Sequence, residues 1–399
     1  MEYENARSRG IKASPSMAVA MEAKRLRAEG RDIIDLSLGE PDFDPPPHVS
    51  EAAQEAVRAG GVRYGLAAGS LELREAIRQK FLNENRLDFS HDEIAIANGA
   101  KQIIFDAFLA TLEEGDEVII PAPCWVSYGD IVALHGGKPV YVRCDPGAGY
   151  KLSAARLEQE ITPRTRWLML NSPSNPTGAI YTAQKYAAIA VVLDRHPRIL
   201  ILSDEIYEHI VLGETPFVSF GQACPALRDR TLIVNGVSKA YAMTGWRVGY
   251  AAGPKNLIAA ISKMQSQSVT SVCGIAQAAA TAALSGDQSF VSAVAQTFRH
   301  RATLVAAALQ RIPGIEFVRP DGAFYAFIDM RGFIARSNLA DDVAVARRLL
   351  NEYGLSSVPG SAFAMPGFIR LSIAAPEEEL QKACERLARM ITSPEFETA

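Results

Sequence analysis

The chain has 399 residues, of which 48% are apolar and 22% charged, a composition typical of soluble globular proteins with two or three domains. Its formal net charge of −4 argues against nucleic-acid or anionic-membrane partners, and no apolar stretch is long enough to span a bilayer. The N-terminus lacks the apolar core of a signal peptide, and five scattered cysteines without a CxxC pair favour reduced thiols, so we expect a cytoplasmic protein without a metal site.

The N-terminal part of the chain combines helical patterns with one proline-rich loop. Gly39 opens this loop, Gly-Glu-Pro-Asp-Phe-Asp-Pro-Pro-Pro, which cannot form a helix. Ser70 is a suitable N-cap for the helix that follows it. Predicted helices cover residues 16–27, 49–59 and 70–83, and a short strand is predicted at 32–38.

A glycine turn at Gly99 joins a predicted strand, 93–98, to a helix that begins near Ala100. Free backbone N–H groups and the helix dipole make such a turn suitable for a phosphate, although any α/β protein has many ordinary turns of this kind. Lys101 lies in the first helical turn, where its charge opposes the dipole. A bound dianion or a second substrate carboxylate would explain this lysine; a solvated side chain is the simpler alternative.

Three side chains follow predicted strands in the middle of the chain. Trp125 comes after two prolines and could stack on a flat ring or pack in the core. Asn175 lies in the loop Ser-Pro-Ser-Asn-Pro-Thr-Gly, where it could simply initiate a turn. Asp204 ends the apolar strand 198–203 and could cap a helix or supply a buried carboxylate.

Lys239 lies on an irregular connection between two short apolar strands, 231–235 and 248–252. A single lysine is usually solvated. Here Ser238 precedes it and Arg247 follows behind Thr-Gly-Trp. The amine, hydroxyl and guanidinium would converge where a phosphate-bearing aldehyde could bind, with the amine forming a Schiff base and the other two groups holding the phosphate.

The C-terminal part is predicted to be helical from about 254 to 309 and then mixed. Arg370 lies in the strand Phe-Ile-Arg-Leu-Ser, 368–372. Alternation places it on one face with Phe368 and Ser372, and this face could be solvated. It could instead present a bidentate guanidinium to a carboxylate. Further predicted elements are strands at 321–329 and 354–360, and helices at 340–353 and 377–390.

The run Ser-Lys-Ala-Tyr-Ala-Met-Thr-Gly-Trp-Arg-Val-Gly-Tyr at 238–250 closely resembles the cofactor-lysine segment of class I aminotransferases that use pyridoxal phosphate. It is most similar to their bacterial aspartate and prephenate branch. Asn-Pro-Thr-Gly at 175–178 and the strand around Arg370 extend the resemblance to roughly residues 10–392.

The resemblance implies a role for each candidate residue. Lys239 would hold pyridoxal phosphate and, once freed, move the substrate Cα proton. Asp204 would keep the pyridine nitrogen protonated, while Asn175 and Tyr207 would bind the phenolate oxygen, Tyr207 helping to lower the imine pKa. The implied phosphate ligands are Ser238, Arg247, the backbone N–H groups of Ala100 and Lys101, and Tyr64 of a neighbouring subunit. The implied substrate and ring contacts are Gly39, Trp125, Asn175, Arg370 and, for a second carboxylate, Lys101.

The alternation of strands and helices predicts an α/β fold with a mainly parallel sheet. The resemblance adds the fold type I architecture, with a seven-stranded sheet in a large domain and a homodimer that shares its active sites. We expect an N-terminal arm and part of the small domain in residues 1–45, the large cofactor-binding domain in 46–290, and the small α/β domain in 291–399.

The implied reaction is transfer of the amino group of L-aspartate to 2-oxoglutarate. Prephenate or aromatic amino acids are the alternative substrates, and a carbon–sulfur lyase is the second hypothesis for the enzyme. A cofactor-sensing transcription regulator is the least favoured hypothesis. It would need a DNA-binding module before the domain, and the roughly thirty residues that precede the first strand are too few for one. Two positions depart from the family pattern: Cys124 replaces an aromatic residue, and Gly236 replaces a serine that would bind the phosphate.

Overall fold

A computed structural model describes residues 3–11, 15–60 and 63–396. The helices of this described part are α1 Ala6–Arg9, α2 Pro15–Ala28, α3 Pro47–Arg58, α4 Leu71–Asn85, α5 Ala100–Thr111, α6 Ser127–Leu134, α7 Ala154–Glu160, α8 Ala183–Asp194, α9 Phe220–Ala223, α10 Lys255–Ser268, α11 Gly274–Ser285, α12 Ser289–Leu309, α13 Arg331–Ser337, α14 Asp342–Tyr353 and α15 Glu377–Ile391. None of them is long and apolar enough to cross a membrane.

The strands are arranged in three sheets. They are β1 Ile34–Asp35, β2 Ile94–Ala97, β3 Glu117–Ala122, β4 Lys138–Arg143, β5 Thr165–Asn171, β6 Leu200–Asp204, β7 Thr231–Gly236, β8 Gly249–Ala252, β9 Glu316–Phe317, β10 Tyr325–Asp329, β11 Leu355–Ser356, β12 Val358–Pro359 and β13 Phe368–Ser372. Seven form one sheet in the order β2-β8-β7-β6-β5-β3-β4, four form the sheet β12-β13-β10-β9, and β1 pairs with β11.

The seven-stranded sheet is parallel except for β8, which runs antiparallel to both of its neighbours. The predicted α/β class and the mainly parallel seven-stranded sheet are therefore confirmed. Apolar clusters cover both of its faces, and this explains why strands such as β2 are buried at every residue.

The topology brings the ends of several strands to one edge of this sheet. Asn171 at the end of β5 is in register with Asp204 at the end of β6, and β7 ends beside β6. Because β8 runs the other way, it begins where β7 ends, with Gly236 opposite Gly249. In open α/β sheets the carboxyl ends of the strands form the usual ligand crevice.

The four-stranded sheet is antiparallel and positions the C-terminal site residues. Arg370 on β13 pairs with Phe327 on β10, and Tyr325 pairs with Ser372. A separate apolar cluster joins this sheet to α12 and α15. The domain boundaries at 45/46 and 290/291 stay a prediction, although all seven strands of the large sheet lie within the range 94–252.

Three predicted strands differ from the observed ones. The strand expected at 32–38 is only β1, because its sole partner β11 is itself two residues long. The strand expected at 321–329 begins at Tyr325, after a turn. The strand expected at 354–360 is divided into β11 and β12, which pair with different sheets. By contrast, Ser70 caps α4 as predicted, accepting a hydrogen bond from Leu73 N at 3.2 Å.

Candidate active site

A cavity of about 360 Å³ lies at the strand-end edge of the large sheet and reaches the four-stranded sheet. Eleven of the twelve predicted site residues line it: Gly39, Ala100, Lys101, Trp125, Asn175, Asp204, Tyr207, Ser238, Lys239, Arg247 and Arg370. Four of these are cations and one is a carboxylic acid. The cavity is therefore electropositive and suited to anionic ligands.

Lys239 follows β7 and extends into this cavity. Its Nζ donates to Gly39 O at 2.6 Å and lies 5.7 Å from the ring centroid of Tyr207. Burial, followed by the charge of Arg370, lowers the pKa of Lys239 to about 8. A substantial fraction of the side chain is therefore neutral near pH 8, as a nucleophilic amine must be.

Asp204 is buried at the end of β6 and is not a helix N-cap, since a turn follows it. Its Oδ2 accepts a hydrogen bond from the Tyr128 hydroxyl at 2.6 Å, and its Oδ1 accepts one from Ile206 N at 3.3 Å. Burial raises the pKa of Asp204 to about 6. No cation among the described residues forms a salt bridge with this carboxylate, which is suited to a protonated ring nitrogen.

Arg370 is buried, so the alternative of a solvated face is wrong: all five residues of β13 are buried because both faces of the sheet are covered. The Arg370 guanidinium donates to Asn175 Oδ1 at 3.0 Å and to Ser37 O. It lies between the rings of Tyr325 and Phe363, with its Cζ 4.5 and 4.9 Å from their centroids. Its Nε, also buried, has no partner among the described residues.

Helix α5 and the start of β8 form the part of the cavity suited to a phosphate. The N–H groups of Ala100 and Lys101 begin the helix and so lack intrahelical acceptors. Gly99 has φ +85°, and a Cβ there would lie 2.4 Å from Arg247 Nη2. A Cβ on Gly249 would lie 2.1 Å from Ala100 N. The absence of both side chains leaves these donors and the Arg247 guanidinium accessible together.

Lys101 and Trp125 contact each other on one side of the cavity, with Lys101 Nζ 4.8 Å from the indole. Part of the lysine is exposed, yet desolvation and then the charge of Arg247 lower its pKa. An anion bound between Lys101 and Arg247 would offset this effect and stabilise the charged form of Lys101.

Tyr207 and Tyr325 form a hydroxyl pair at the junction of the two sheets. Their oxygens are 2.7 Å apart, and both side chains are buried. Gly39 packs against this pair: a Cβ there would lie 2.1 Å from the Tyr325 hydroxyl. Contact with the Tyr325 side chain therefore already requires a glycine at position 39, independently of any contact with a substrate.

Two predicted features lie outside the cavity wall. Tyr64 is 93% exposed, so it does not contribute to the cavity of its own chain. Cys124 is buried behind the wall, and burial raises the pKa of its thiol to about 12, so it is a neutral packing residue.

Sequence reasoning missed Tyr128, Tyr325, Ser16 and Met17, all of which line the cavity. Tyr128 stands three residues after Trp125, across a turn closed by a hydrogen bond from Tyr128 N to Trp125 O at 3.1 Å, and this spacing could have indicated it. Tyr325 carries no local signal, since its role depends on register with β13. Ser16 and Met17 bring α2 to the cavity, so the N-terminal segment forms part of its wall.

The fold and the cavity define a fold type I transferase, and comparisons agree. The structure matches aspartate aminotransferase from Rhizobium meliloti with a TM-score of 0.93 at 45% identity, covering 98% of this chain and 99% of that one. It matches the Thermus thermophilus aspartate aminotransferase with maleate with a TM-score of 0.92 at 43% identity, covering 98% and 100%.

Sequence comparison gives the family. Residues 31–387 match the family described as aminotransferase class I and II. The chain is 46% identical over 392 residues to the aspartate/prephenate aminotransferase of Nitrosomonas europaea, covering 97% of this chain and 99% of that relative. The protein belongs to the class I and II aminotransferases, which confirms the predicted enzyme class.

Proposed function

We propose that this aminotransferase holds pyridoxal phosphate on Lys239 and transfers the amino group of L-aspartate to 2-oxoglutarate. The observation that supports this most directly is one cavity that combines a lysine of lowered pKa with a buried carboxylic acid and three further cations. Each of these groups meets a different chemical demand of the cofactor or of a dicarboxylate substrate.

The chemistry of the residues that line the cavity fits the cofactor. Ser238, Arg247 and the first N–H groups of α5 would bind the phosphate, and the two glycines that expose them support this assignment. Gly236 supplies no hydroxyl, so the phosphate would depend on these donors. Asp204, kept in place by Tyr128, would bind the ring nitrogen. When bound, the cofactor's ring accepts the electron pair left on the substrate Cα.

The proton transfers then belong to Lys239. Once substrate has displaced it, its Nζ is a free amine whose lowered pKa suits a base near neutral pH. It would take the proton from the substrate Cα and return it on the cofactor's side. The carbonyl of Gly39, 2.6 Å from Nζ, would orient the amine.

The substrate's α-carboxylate would bind Arg370. Asn175 and two aromatic rings fix the plane of the guanidinium, and the unpartnered buried Nε is a donor in need of an acceptor. A carboxylate in bidentate contact would supply one.

Aspartate is favoured by the position of Lys101, a cation with lowered pKa at the cavity wall, and by the names of the relatives. Lys101→Met should lower kcat/KM for aspartate about tenfold or more, since a hydrogen bond to a charged group is lost, and should leave alanine unaffected. An equal loss for both amino acids would contradict a role in binding the second carboxylate.

Prephenate is the second candidate substrate, because the Nitrosomonas europaea relative is named an aspartate/prephenate aminotransferase. Parallel assays of amino transfer from aspartate, with either 2-oxoglutarate or prephenate as the acceptor, would show which acceptor gives the higher kcat/KM. A lyase would release a keto acid and ammonia without any acceptor, so an acceptor-free assay serves as the control. A cytoplasmic location stays a prediction.

A homodimer with shared sites would explain the exposed Tyr64. Leu66 and Leu71, on the same segment, are 62% and 53% exposed, and such apolar surface favours a protein partner. A Lys239→Ala chain mixed with a Tyr64→Ala chain should regain one intact site per mixed dimer. Tyr3→Ala, which also removes an exposed tyrosine, should not behave like Tyr64→Ala.

An absorbance spectrum before and after adding aspartate alone tests the main proposal. We expect the band of the lysine-bound cofactor to be replaced by that of the pyridoxamine form. A band that is unchanged by aspartate but changes when another amino acid is added would contradict the proposal that aspartate is the substrate. No band after adding pyridoxal phosphate would contradict the cofactor.

A further inference from the structure

We propose that Tyr325 is a positioning residue: its hydroxyl donates to Tyr207 and thereby directs the Tyr207 hydroxyl proton toward the ring oxygen of the bound cofactor. The inference rests on the proposed cofactor. It begins with the hydroxyl pair, whose oxygens are 2.7 Å apart and which is buried between the two sheets.

The direction of this hydrogen bond follows from the number of protons. Two hydroxyls share one hydrogen bond, so one proton is left and needs an acceptor, because buried polar groups are normally satisfied. In the described part of the chain neither hydroxyl has another hydrogen-bond partner. The remaining proton must therefore point at something that binds in the cavity.

Packing decides which tyrosine keeps that proton. The Tyr325 hydroxyl is enclosed by Gly39 on one side, where even a Cβ would lie 2.1 Å away. The Gly39 carbonyl accepts a hydrogen bond from Lys239, and no hydrogen bond joins it to the Tyr325 hydroxyl in the described part of the chain. Tyr325 thus has Tyr207 as its acceptor, and the proton of Tyr207 is the one left for the cavity.

The consequence concerns the cofactor's imine with Lys239. A donor on the ring oxygen stabilises the negative charge that remains when the imine loses its proton, so it lowers the imine pKa. Tyr325 strengthens that donor by polarising Tyr207, since hydrogen bonds in a chain reinforce one another. Arg370, Arg247, Glu40 and Asp204 also act electrostatically on Lys239, and none of them changes in the variants below.

A double-mutant cycle on the cofactor-loaded enzyme tests the proposal. The measurement is the pH at which the absorbance of the lysine-bound cofactor changes from its protonated to its unprotonated form. Tyr325→Phe keeps the ring against Arg370 and should raise this midpoint by about 0.5–1 pH unit. In a Tyr207→Phe background the same substitution should cause almost no shift, because Tyr325 acts through Tyr207.

Several outcomes are distinguishable. A wild-type protein without a titrating band would contradict the proposed cofactor site. A normal wild-type band with no shift in Tyr325→Phe, or with equal shifts in both backgrounds, would overturn the role of Tyr325. Tyr241→Phe, which removes a buried hydroxyl bonded to Gln288 outside the cavity, is the matched control and should leave the midpoint unchanged.

A second readout does not depend on catalysis. The dissociation constant of pyridoxal phosphate, measured by fluorescence quenching of the cofactor-free protein, should rise several-fold in Tyr325→Phe. It should rise no further when Tyr325→Phe is added to Tyr207→Phe. Far-ultraviolet circular dichroism and the thermal midpoint of each variant separate this effect from loss of folding.

Discussion

The hydroxyl of Tyr128 lies 2.6 Å from Oδ2 of Asp204, and this contact joins the start of α6 to the end of β6. Tyr128 is the only side chain in the described residues that donates to this carboxylate. It opposes the effect of burial, which raises the pKa of Asp204, and so keeps the group closer to ionisation.

Replacing Tyr128 with phenylalanine removes the hydrogen bond that holds the Asp204 carboxylate in place and favours its ionised form, so the carboxylate should bind the ring nitrogen less well. A hydrogen bond to a charged group contributes about 1.5–3 kcal/mol, so we expect kcat/KM to fall about 10- to 100-fold. Steady-state kinetics with aspartate would measure it. Tyr186→Phe, at a buried tyrosine that does not line the cavity, is the control; equal losses in both variants would point to general destabilisation.

Asp204→Asn should stabilise the cofactor-free protein at neutral pH while abolishing amino transfer. The pKa of the carboxyl is about 3.8 in the unfolded chain and about 6 in the folded protein. The contribution of Asp204 to the free energy of unfolding is therefore fully present below pH 3.8 and is lost as the pH rises through about 6. At pH 8 the variant should be more stable than the wild type, by roughly 3 kcal/mol at most. Urea unfolding at pH 4.5 and pH 8 measures the difference; a variant less stable at pH 8 would contradict it.

Arg370→Lys should impair binding of every amino-acid substrate. Lysine cannot reproduce the planar fork between two rings or bind a carboxylate in bidentate fashion. We expect kcat/KM to fall about 10- to 100-fold for aspartate and alanine alike.

A matched arginine provides the control for Arg370. Arg301 is also buried, binds both oxygens of Asp42 at 2.6 and 2.9 Å, and lies near the rings of Phe43 and Phe298, but it does not line the cavity. Arg301→Lys should lower the thermal midpoint without a selective loss of substrate binding. A similar kinetic loss in both variants would contradict a substrate contact for Arg370.

Gly39→Ala should destabilise the protein by about 1–3 kcal/mol through overpacking against the Tyr325 hydroxyl. Adding Tyr325→Phe removes that oxygen and leaves Cζ, 3.1 Å from the new Cβ, as the tightest contact, so the double variant should recover most of the loss. Urea midpoints of the two single variants and the pair measure this coupling. Gly147→Ala, with nothing within 4 Å of its Cβ, is the control; strictly additive effects would contradict the contact.

The local sequence predicts the site residues that lie on, or directly after, an apolar strand. The segment Phe-Ile-Arg-Leu-Ser predicts the strand around Arg370 at its observed bounds. Asp204 and Lys239 were found because each follows an apolar strand. The roles of Tyr128 and Tyr325 could not be predicted, since both arise from contacts with residues far away in the chain. The exposure of Arg370 was left open, because alternation describes one sheet and says nothing about what covers its second face.

The pairing of β1 with β11 brings together residues more than three hundred positions apart. Gly39 follows β1, and Arg370 follows β11, so both ends of the chain contribute to the cavity wall between them. During synthesis, Lys239 leaves the ribosome well before Arg370 and Tyr325 do. An incomplete chain would lack Arg370; burial, together with the charge of Arg370, lowers the pKa of Lys239. The reactivity of this lysine thus depends on a strand that is synthesised after it and on the meeting of the two distant segments.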